Sequence, residues 1–463
     1  MMEKRKFHMP TAYTILFLLI ILVAIATWII PAGSYDYADG IPTAGTYHLV
    51  AQTPQGVGAV LKAAFHGFYD AVDVCLFIIM VGGFLGVVMK TGAIDAGVSQ
   101  VITALGGREA WLIPILMIFF GLGGTSYGMW EETMAFYPLL LPVFLAAGYD
   151  AVVGIAVILL GAGAGVISST VNPFATGIAA GFAGVSLGEG ILLRLLQLVV
   201  FEGIAIWYVS AYAAKVKRDP SRSVVGVGSG KIHVDAAQRT ELTARHKVIL
   251  AVFVATFLVM IYGVIPFGEM GLPLPTLGWW FPELSALFLV GGIVVGLIDR
   301  MGEVELAETF VEGCADLLGV ALIIGISRGI TVLMNDGHIT DTILHWGEGA
   351  LSGLGAIPFV LLVYLIYLPL SVLIPSSSGL ATLSVPVVAP LGQFAGVGGD
   401  LVVTAFQSAS GLVNIITPTA AVLMGALALG KVPYEKWIKF VWKLFAGFLL
   451  LTCIFLIFGV VFA

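Results

Sequence analysis

From Thr11 to Ile30 the chain runs without one charged side chain, and apolar runs of this kind recur along its whole length. An α-helix rises 1.5 Å per residue, so about 20 apolar residues cover the ~30 Å of hydrocarbon in a bilayer. Further runs fall at 71–90, 191–213, 247–266, 284–299, 314–334 and 440–462. Others are interrupted: 111–147 and 356–397 read as re-entrant helical hairpins, and 150–184 and 400–430 as broken spans. With 59% of 463 positions apolar and 11% charged, a water-soluble shell would be short of polar surface. The expected fold is an all-α polytopic membrane protein.

Lys4, Arg5 and Lys6 precede the first run, superficially like a secretory signal. The run is too long for one and ends in Trp28-Ile-Ile-Pro31 with no small-residue cleavage site, so it reads as a retained span. Basic residues concentrate at the N-terminus and in the polar segment 214–246, which holds Lys215, Lys217, Arg218, Arg222, Lys231, Arg239 and Arg245. Both are expected in the cytoplasm, of a bacterial-type inner membrane. Of the loops expected outside, 31–70, 266–283 and 335–355, only the first carries a basic residue, Lys62. Trp28, Trp111, Trp279, Trp280, Trp437 and Trp442 lie near span ends, as an aromatic belt would. No basic face with interleaved aromatics is present, which argues against nucleic acid as a partner. Cys75, Cys314 and Cys453 sit singly in apolar segments and read as packing residues. No HExxH motif occurs and the spans hold no histidine, so an intramembrane enzyme is not expected.

Phe65, Met89, Gly92 and Ile94 match Phe310, Met334, Gly337 and Ile339 at one offset of 245 residues. Pro138 and Pro142 then match Pro386 and Pro390, and Asp150 matches Asp400. The expected plan is a first membrane repeat over 1–213, a cytoplasmic linker over 214–246, a linking span and outside loop over 247–283, and a second repeat over 284–463. In the topology above, 71–90 runs inward and 314–334 outward, so the repeats are expected to be inverted, as in many secondary transporters.

Each half has two glycine- and hydroxyl-rich interruptions. The first half has Gly123 to Gly128 and Ser168-Ser-Thr-Val-Asn-Pro173; the second has Pro375-Ser-Ser-Ser-Gly379 and Asn414-Ile-Ile-Thr-Pro-Thr419. Proline removes an amide donor and frees carbonyls, and irregular backbone survives at membrane depth only when buried in protein or lining a cavity. Half-helix N-termini can face an anionic group, and freed carbonyls with Ser, Thr and Asn oxygens can hold a cation. The alternative is four separate kinks satisfied by hydroxyl back-bonding. Glu131 and Glu132 follow Trp130 at the first tip, where charge is expensive; they suit a cationic substrate group or a transported proton, unless the tip reaches water. Arg328 offers bidentate recognition of a substrate carboxylate, or a structural ion pair with Asp316, Glu202 or Asp73. Glu202 would pair with Arg194 or relay protons.

At these residues the chain resembles the ion transporter superfamily and, within it, the anaerobic C4-dicarboxylate carrier family, above all its YfcC-like branch of basic amino acid antiporters. The resemblance is carried by Met9-Pro-Thr-Ala-Tyr13, Gly123-Gly-Thr-Ser-Tyr-Gly-Met-Trp-Glu-Glu132, Ser169-Thr-Val-Asn-Pro173 and Ile374-Pro-Ser-Ser-Ser-Gly379, and it spans nearly the whole chain. It implies a homodimer whose scaffold part holds a moving part built from the hairpins and broken helices. Relatives hold sodium between a hairpin-tip Ser-Asn-Thr motif and an unwound helix. Here the tips read Thr125-Ser126 and Ser376-Ser-Ser378, without asparagine. Candidate sodium ligands are therefore Thr125, Ser126 and Asn172 in one half and Ser377, Asn414 and Thr419 in the other, with proton coupling through Glu131 or Glu132 left open.

The expected function is secondary active transport or exchange of a small carboxylate-bearing solute, first a basic amino acid, by an elevator-like alternating-access cycle and without an organic cofactor. A C4-dicarboxylate or other short organic acid is the alternative substrate, and a passive channel the alternative class. Expected substrate contacts are Thr125, Ser126, Glu131, Glu132, Ser169, Asn172, Arg328, Ser376, Ser377, Ser378, Asn414 and Thr417.

Overall fold

The first helix, α1 (Ala12–Ile29), shows which solvent the surface is built for: Leu18, Leu22, Ile25 and Trp28 are each more than half exposed. Outward faces this apolar are stable against lipid and costly against water. The computed structural model describes residues 12–462, apart from 39–40, 44, 95, 98–99, 101–107, 127, 187, 227–241, 265–266, 269–272 and 280. Lys4, Arg5, Lys6, Met9, Pro10, Thr11, Tyr127, Lys231, Arg239 and Trp280 lie outside the described residues. Among the described residues there are seventeen α-helices, and eight are long and apolar enough to cross a bilayer.

After α1 come α2 (Val57–Asp70) and α3 (Val72–Lys90), then two arms, α4 (Leu112–Ser126) and α5 (Tyr137–Ala146), joined through a 3-10 turn at Glu131–Phe136. A broken pair follows, α6 (Ala151–Ser168) and α7 (Ile178–Ala183), and then α8 (Ile191–Arg218). The chain continues through α9 (Ala244–Val264) and α10 (Phe281–Asp299) to α11 (Glu303–Asp336) and α12 (Thr340–Leu351). A second pair of arms, α13 (Ala356–Leu373) and α14 (Ser377–Phe394), leads to a second broken pair, α15 (Gly399–Asn414) and α16 (Ala421–Leu429), and to α17 (Tyr434–Phe462). Some of the matched residues fall on comparable elements, Met89 and Met334 in the last turns of α3 and α11, the paired prolines in α5 and α14, and Asp150 and Asp400 at the starts of α6 and α15, whereas Phe65 lies in α2 and Phe310 in α11.

Several elements differ from their sequence reading, each for a visible reason. The 34-residue α11 begins well before 314, because Glu303 and Glu305 favour the positive end of a helix and carry it past its apolar stretch. Likewise α8 continues to Arg218, with Lys215, Lys217 and Arg218 against its negative end. Residues 31–70 and 335–355, read as loops, contain α2 and α12, which at 14 and 12 residues are too short to register as spans.

Of the two, α2 packs along α11, whereas α12 is held by the residues between α1 and α2. Short antiparallel strand pairs, Gly33–Ser34 with His48–Leu49 and Tyr37–Ala38 with Ile41–Pro42, present tyrosines to α12. The Tyr35 amide and the Tyr37 hydroxyl donate to Asp341 at 3.0 and 2.8 Å, the Tyr35 hydroxyl donates to Glu348 at 2.8 Å, and the Tyr47 ring stacks on His345 at 4.0 Å. Burial, and then the facing carboxylates, push both phenols well above their ordinary range, so they remain donors at any physiological pH. Tyr37→Phe removes a charge-assisted bond and is expected to lower stability by about 1.5 kcal/mol, read as a fall in the unfolding midpoint in detergent.

Glycine sets how closely the helices approach. A Cβ on Gly67 of α2 would stand 2.1 Å from the Gly325 carbonyl of α11, and one on Gly82 of α3 would stand 2.5 Å from that of Gly313. Such small-residue contacts let helix backbones meet where no hydrophobic gradient separates helix from lipid. Gly67→Ala is accordingly expected to cost about 2 kcal/mol through overpacking, measurable as a lowered melting temperature with α-helical content retained.

At the centre, α6 and α15 cross, and both are buried along nearly their whole length. The α6 carbonyls freed by its break are met from the other half: Gln407 Nε2 donates to Val166 O at 3.0 Å and Ser408 Oγ to Ile167 O at 3.1 Å. Gln197 of α8 donates in turn to Ser408 Oγ at 2.9 Å. Trp437, expected in an aromatic belt, is fully buried instead, and its Nε1 donates to the Ile415 carbonyl of the second break at 2.9 Å. A proline-broken helix needs that donor more than the interface needs the ring.

Candidate functional site

The first break is knitted by one threonine. Thr170 N donates to the carbonyl and the hydroxyl of Thr125 at 3.1 and 3.0 Å, and Val171 N to the same carbonyl at 3.2 Å. Thr125 Oγ1 donates to Thr170 Oγ1 at 3.1 Å, and Ser169 Oγ pairs with Thr176 Oγ1 at 2.5 Å. Amides left by unwinding are thus satisfied by the end of α4. The second break is held from outside in the same way: Ser327 Oγ donates to Thr419 O at 2.7 Å and Tyr434 Oη to Ile416 O at 2.6 Å. Within it Thr417 and Thr419 join hydroxyls at 2.8 Å.

Between the breaks lies a cavity of about 120 Å³. Gly128, Trp130, Glu131 and Glu132 line it from the first tip, Asn172 from the first break, Pro375 to Ser378 from the second tip, Asn414 from the end of α15 and Arg328 from α11. Val74, Val166 and Phe281 complete the wall. A smaller space of about 50 Å³ adjoins it, sharing Glu131, Arg328, Pro375 and Asn414 and adding Ser327 and Thr419. Gly128 has φ +80°, and a Cβ there would stand 2.5 Å from Asn172 Nδ2, so only glycine lets the tip turn this tightly over the amide.

Of the residues singled out from sequence, Glu131, Glu132, Asn172, Arg328, Ser376, Ser377, Ser378 and Asn414 meet at one cavity. Thr125, Ser169 and Thr417 sit behind it, bonded as described, and do not line it. Ser126 donates back to Leu122 O at 2.6 Å, so its hydroxyl is turned onto its own helix. Gly124 to Gly128 also spells GxSxG, but Ser126 ends a helix, with no strand before it and no histidine on the cavity wall. That is not the setting of a nucleophile elbow. Of the two sets of sodium candidates, Ser377 and Asn414 share the cavity with Thr419 on the adjoining space, whereas in the other set only Asn172 reaches the wall.

The two glutamates differ. Glu132 is buried and accepts the Trp130 amide at 3.1 Å, which fixes the shape of the tip. Glu131 borders both spaces and lies within Coulombic reach of Arg328 and Asp73. Arg328 contacts neither Asp316, Glu202 nor Asp73 as an ion pair; its partner is Asp70, at 3.8 Å from Nε to Oδ2, longer than a hydrogen bond. Asp73 instead accepts the Val74 amide at 2.8 Å. Arg194 donates to the Glu189 carbonyl, and Glu202, eight residues further along the same α8 and so about 12 Å away, lies against Gly121 of α4, so the pair considered for them does not form. Asp70, Val74 and Phe281 were not foreseen: the apolar pair carries no signal, and Asp70 ends a helix hidden in an expected loop.

Thr125→Val removes the hydroxyl that both accepts from and donates to Thr170 while keeping the side chain's volume. About 2 kcal/mol of stability is expected to go with it, with uptake reduced in proportion to folded protein and substrate affinity unchanged.

The C4-dicarboxylate anaerobic carrier family matches residues 9–461 of the chain. An uncharacterized protein of Haemophilus influenzae is 34% identical over 98% of the chain and 97% of its own length. A protein of Escherichia coli K12 provisionally named as the basic amino acid antiporter YfcC is 31% identical, over 94% of the chain and 93% of its own length. Among solved structures, the YdaH transporter of Alcanivorax borkumensis aligns with a TM-score of 0.46 at 14% identity, covering 97% of this chain and 99% of that one. A match over nearly the whole length, on a helical body faced with apolar side chains, establishes that the chain is a multi-span membrane transporter belonging to the C4-dicarboxylate anaerobic carrier family.

Proposed function

We propose that the chain is a secondary active transporter or exchanger of a small carboxylate-bearing solute, first of all a basic amino acid, which it carries by alternating access. The observation that supports this reading best is the pairing of Arg328 with Glu131 on one small cavity. An arginine fork recognises a carboxylate, and a glutamate across the same space recognises an ammonium or guanidinium group. A volume of about 120 Å³ favours a single small solute over a peptide. Hydroxyls of Ser376 to Ser378 and the start of α14, an N-terminus capped by Ser376, add donors that suit an anion. The cycle would move the arms and broken helices as one body against α2, α3, α10 and α11, in an inner membrane, as a homodimer of inverted halves with the N-terminus in the cytoplasm.

A C4-dicarboxylate is the second reading, favoured by Arg328 and the serine-rich tip together; Glu131 and Glu132 would then carry coupling protons. Uptake into proteoliposomes, competed with arginine, lysine, ornithine, succinate and fumarate, separates the two. Competition by the cationic amino acids is expected, and competition by succinate and fumarate alone would remove the amino-acid reading. Coupling to sodium would fall to the site at Ser377, Asn414 and Thr419. Asn414→Ala is expected to raise the sodium concentration for half-maximal uptake about tenfold, by loss of one ligand. An unchanged sodium response would leave protons as the coupling ion.

A further inference from the structure

Away from this cavity, a groove of about 740 Å³ runs between α8 and α17 on the outer face of the protein. Its walls are apolar, with Trp207, Leu450 and Ile454 each more than 60% exposed, while Lys215, Lys439 and Lys443 gather at one end. We propose that this groove is a binding site for an anionic phospholipid of the bilayer, acyl chain along the helices and phosphate among the three lysines.

Charge carries the assignment. None of the three lysines has a carboxylate partner among the described ion pairs. The neighbouring polar groups are already satisfied within the protein, since Tyr208 Oη donates to the Phe440 carbonyl and Tyr212 Oη to Asp150. The ammonium groups are therefore the polar handles left at the mouth, and Lys443 stands over the Trp442 ring at 5.8 Å, where lysine stems and tryptophans mark the headgroup level. Clustered lysines beside a membrane helix attract anionic lipid by about 1 kcal/mol each.

Depth agrees. From Lys439 to Ile454 the groove follows α17 for about 22 Å at 1.5 Å per residue, which is one leaflet with its headgroups. On its floor Gly447 opens room for a chain, as a Cβ there meets nothing within 4 Å. A second copy of the protein fits worse. A two-fold axis along the bilayer normal would bring both sets of lysines to one depth on one interface, and like charges would oppose the contact.

Native mass spectrometry of detergent-purified protein, offered phosphatidylglycerol and phosphatidylcholine with the same acyl chains, tests the site without reference to transport. About tenfold or greater preference for phosphatidylglycerol is expected in the parent. K215Q/K439Q/K443Q is expected to bring the two lipids to near parity, the triple Lys→Arg variant to keep the preference, and Gly447→Phe to lower retention of both lipids. Parity in the parent, or a preference that survives the triple Gln variant, would overturn the proposal. So would a disulfide between copies carrying Ala211→Cys and Leu451→Cys, which would put a second protomer in the groove.

Discussion

Arg328→Gln is expected to lower the initial rate of uptake in proteoliposomes by about two to three orders of magnitude, while the protein still folds. A bidentate arginine–carboxylate contact comprises two charge-assisted hydrogen bonds at roughly 1.5–3 kcal/mol each, and every ~1.4 kcal/mol is tenfold in binding. Folding should tolerate the change, because the pair with Asp70 is long, 3.8 Å, and Asp70 is about half exposed. Exposed pairs of this kind contribute about 0–1 kcal/mol. The control is therefore Asp70→Asn, for which uptake within about threefold of the parent is expected. Equal losses in the two variants would assign Arg328 to a structural ion pair and remove it from the site. Arg328→Lys should recover part of the rate, since it restores the charge without the fork.

How much of this was legible in the sequence depends on what each residue had to announce. A charge such as Arg328 or Glu131 in an apolar run is conspicuous from composition alone, because lipid makes it costly to keep. The breaks at Asn172 and Asn414 are equally visible, since proline and hydroxyls interrupt a run that would otherwise continue. Direction within the site is another matter. Ser126 and Thr125 are neighbours in one motif, yet one hydroxyl turns back to Leu122 and the other knits the first break at Thr170. Spacing along a helix gives the face of a side chain but not which of two acceptors it finds. Gln407, Ser408 and Gln197 were polar residues in buried helices and so were findable, but their partners lie across the two halves: carbonyls of the first break for Gln407 and Ser408, and the Ser408 hydroxyl for Gln197. Trp437 misled for a similar reason: its place near a span end suggested an interface, and the demand of a freed carbonyl at Ile415 drew it inside.

The two adjacent glutamates give the sharpest test of substrate charge. Glu132 uses its carboxylate to accept the Trp130 amide, a bond that glutamine can also accept, so Glu132→Gln should change uptake by less than about tenfold. Glu131 borders the cavity and the space beside it, so Glu131→Gln should cost a cationic substrate one charge-assisted contact of about 1.5–3 kcal/mol, roughly 10- to 150-fold in affinity. A pH profile adds the sign. Protonating Glu131 removes the negative charge, so arginine uptake by the parent should weaken as pH falls, and the Gln variant should have lost that slope. For a dicarboxylate the sign reverses: protonation relieves repulsion and uptake by the parent rises as pH falls, whereas Glu131→Gln, which cannot carry a coupling proton, loses that slope and the proton-driven accumulation. A Glu131→Gln variant with the parent's pH slope and the parent's ratio of arginine to succinate uptake would place that carboxylate outside the transport cycle. Then the cavity's anion-binding half, Arg328 with the Ser376 to Ser378 tip, would be the part that selects the solute.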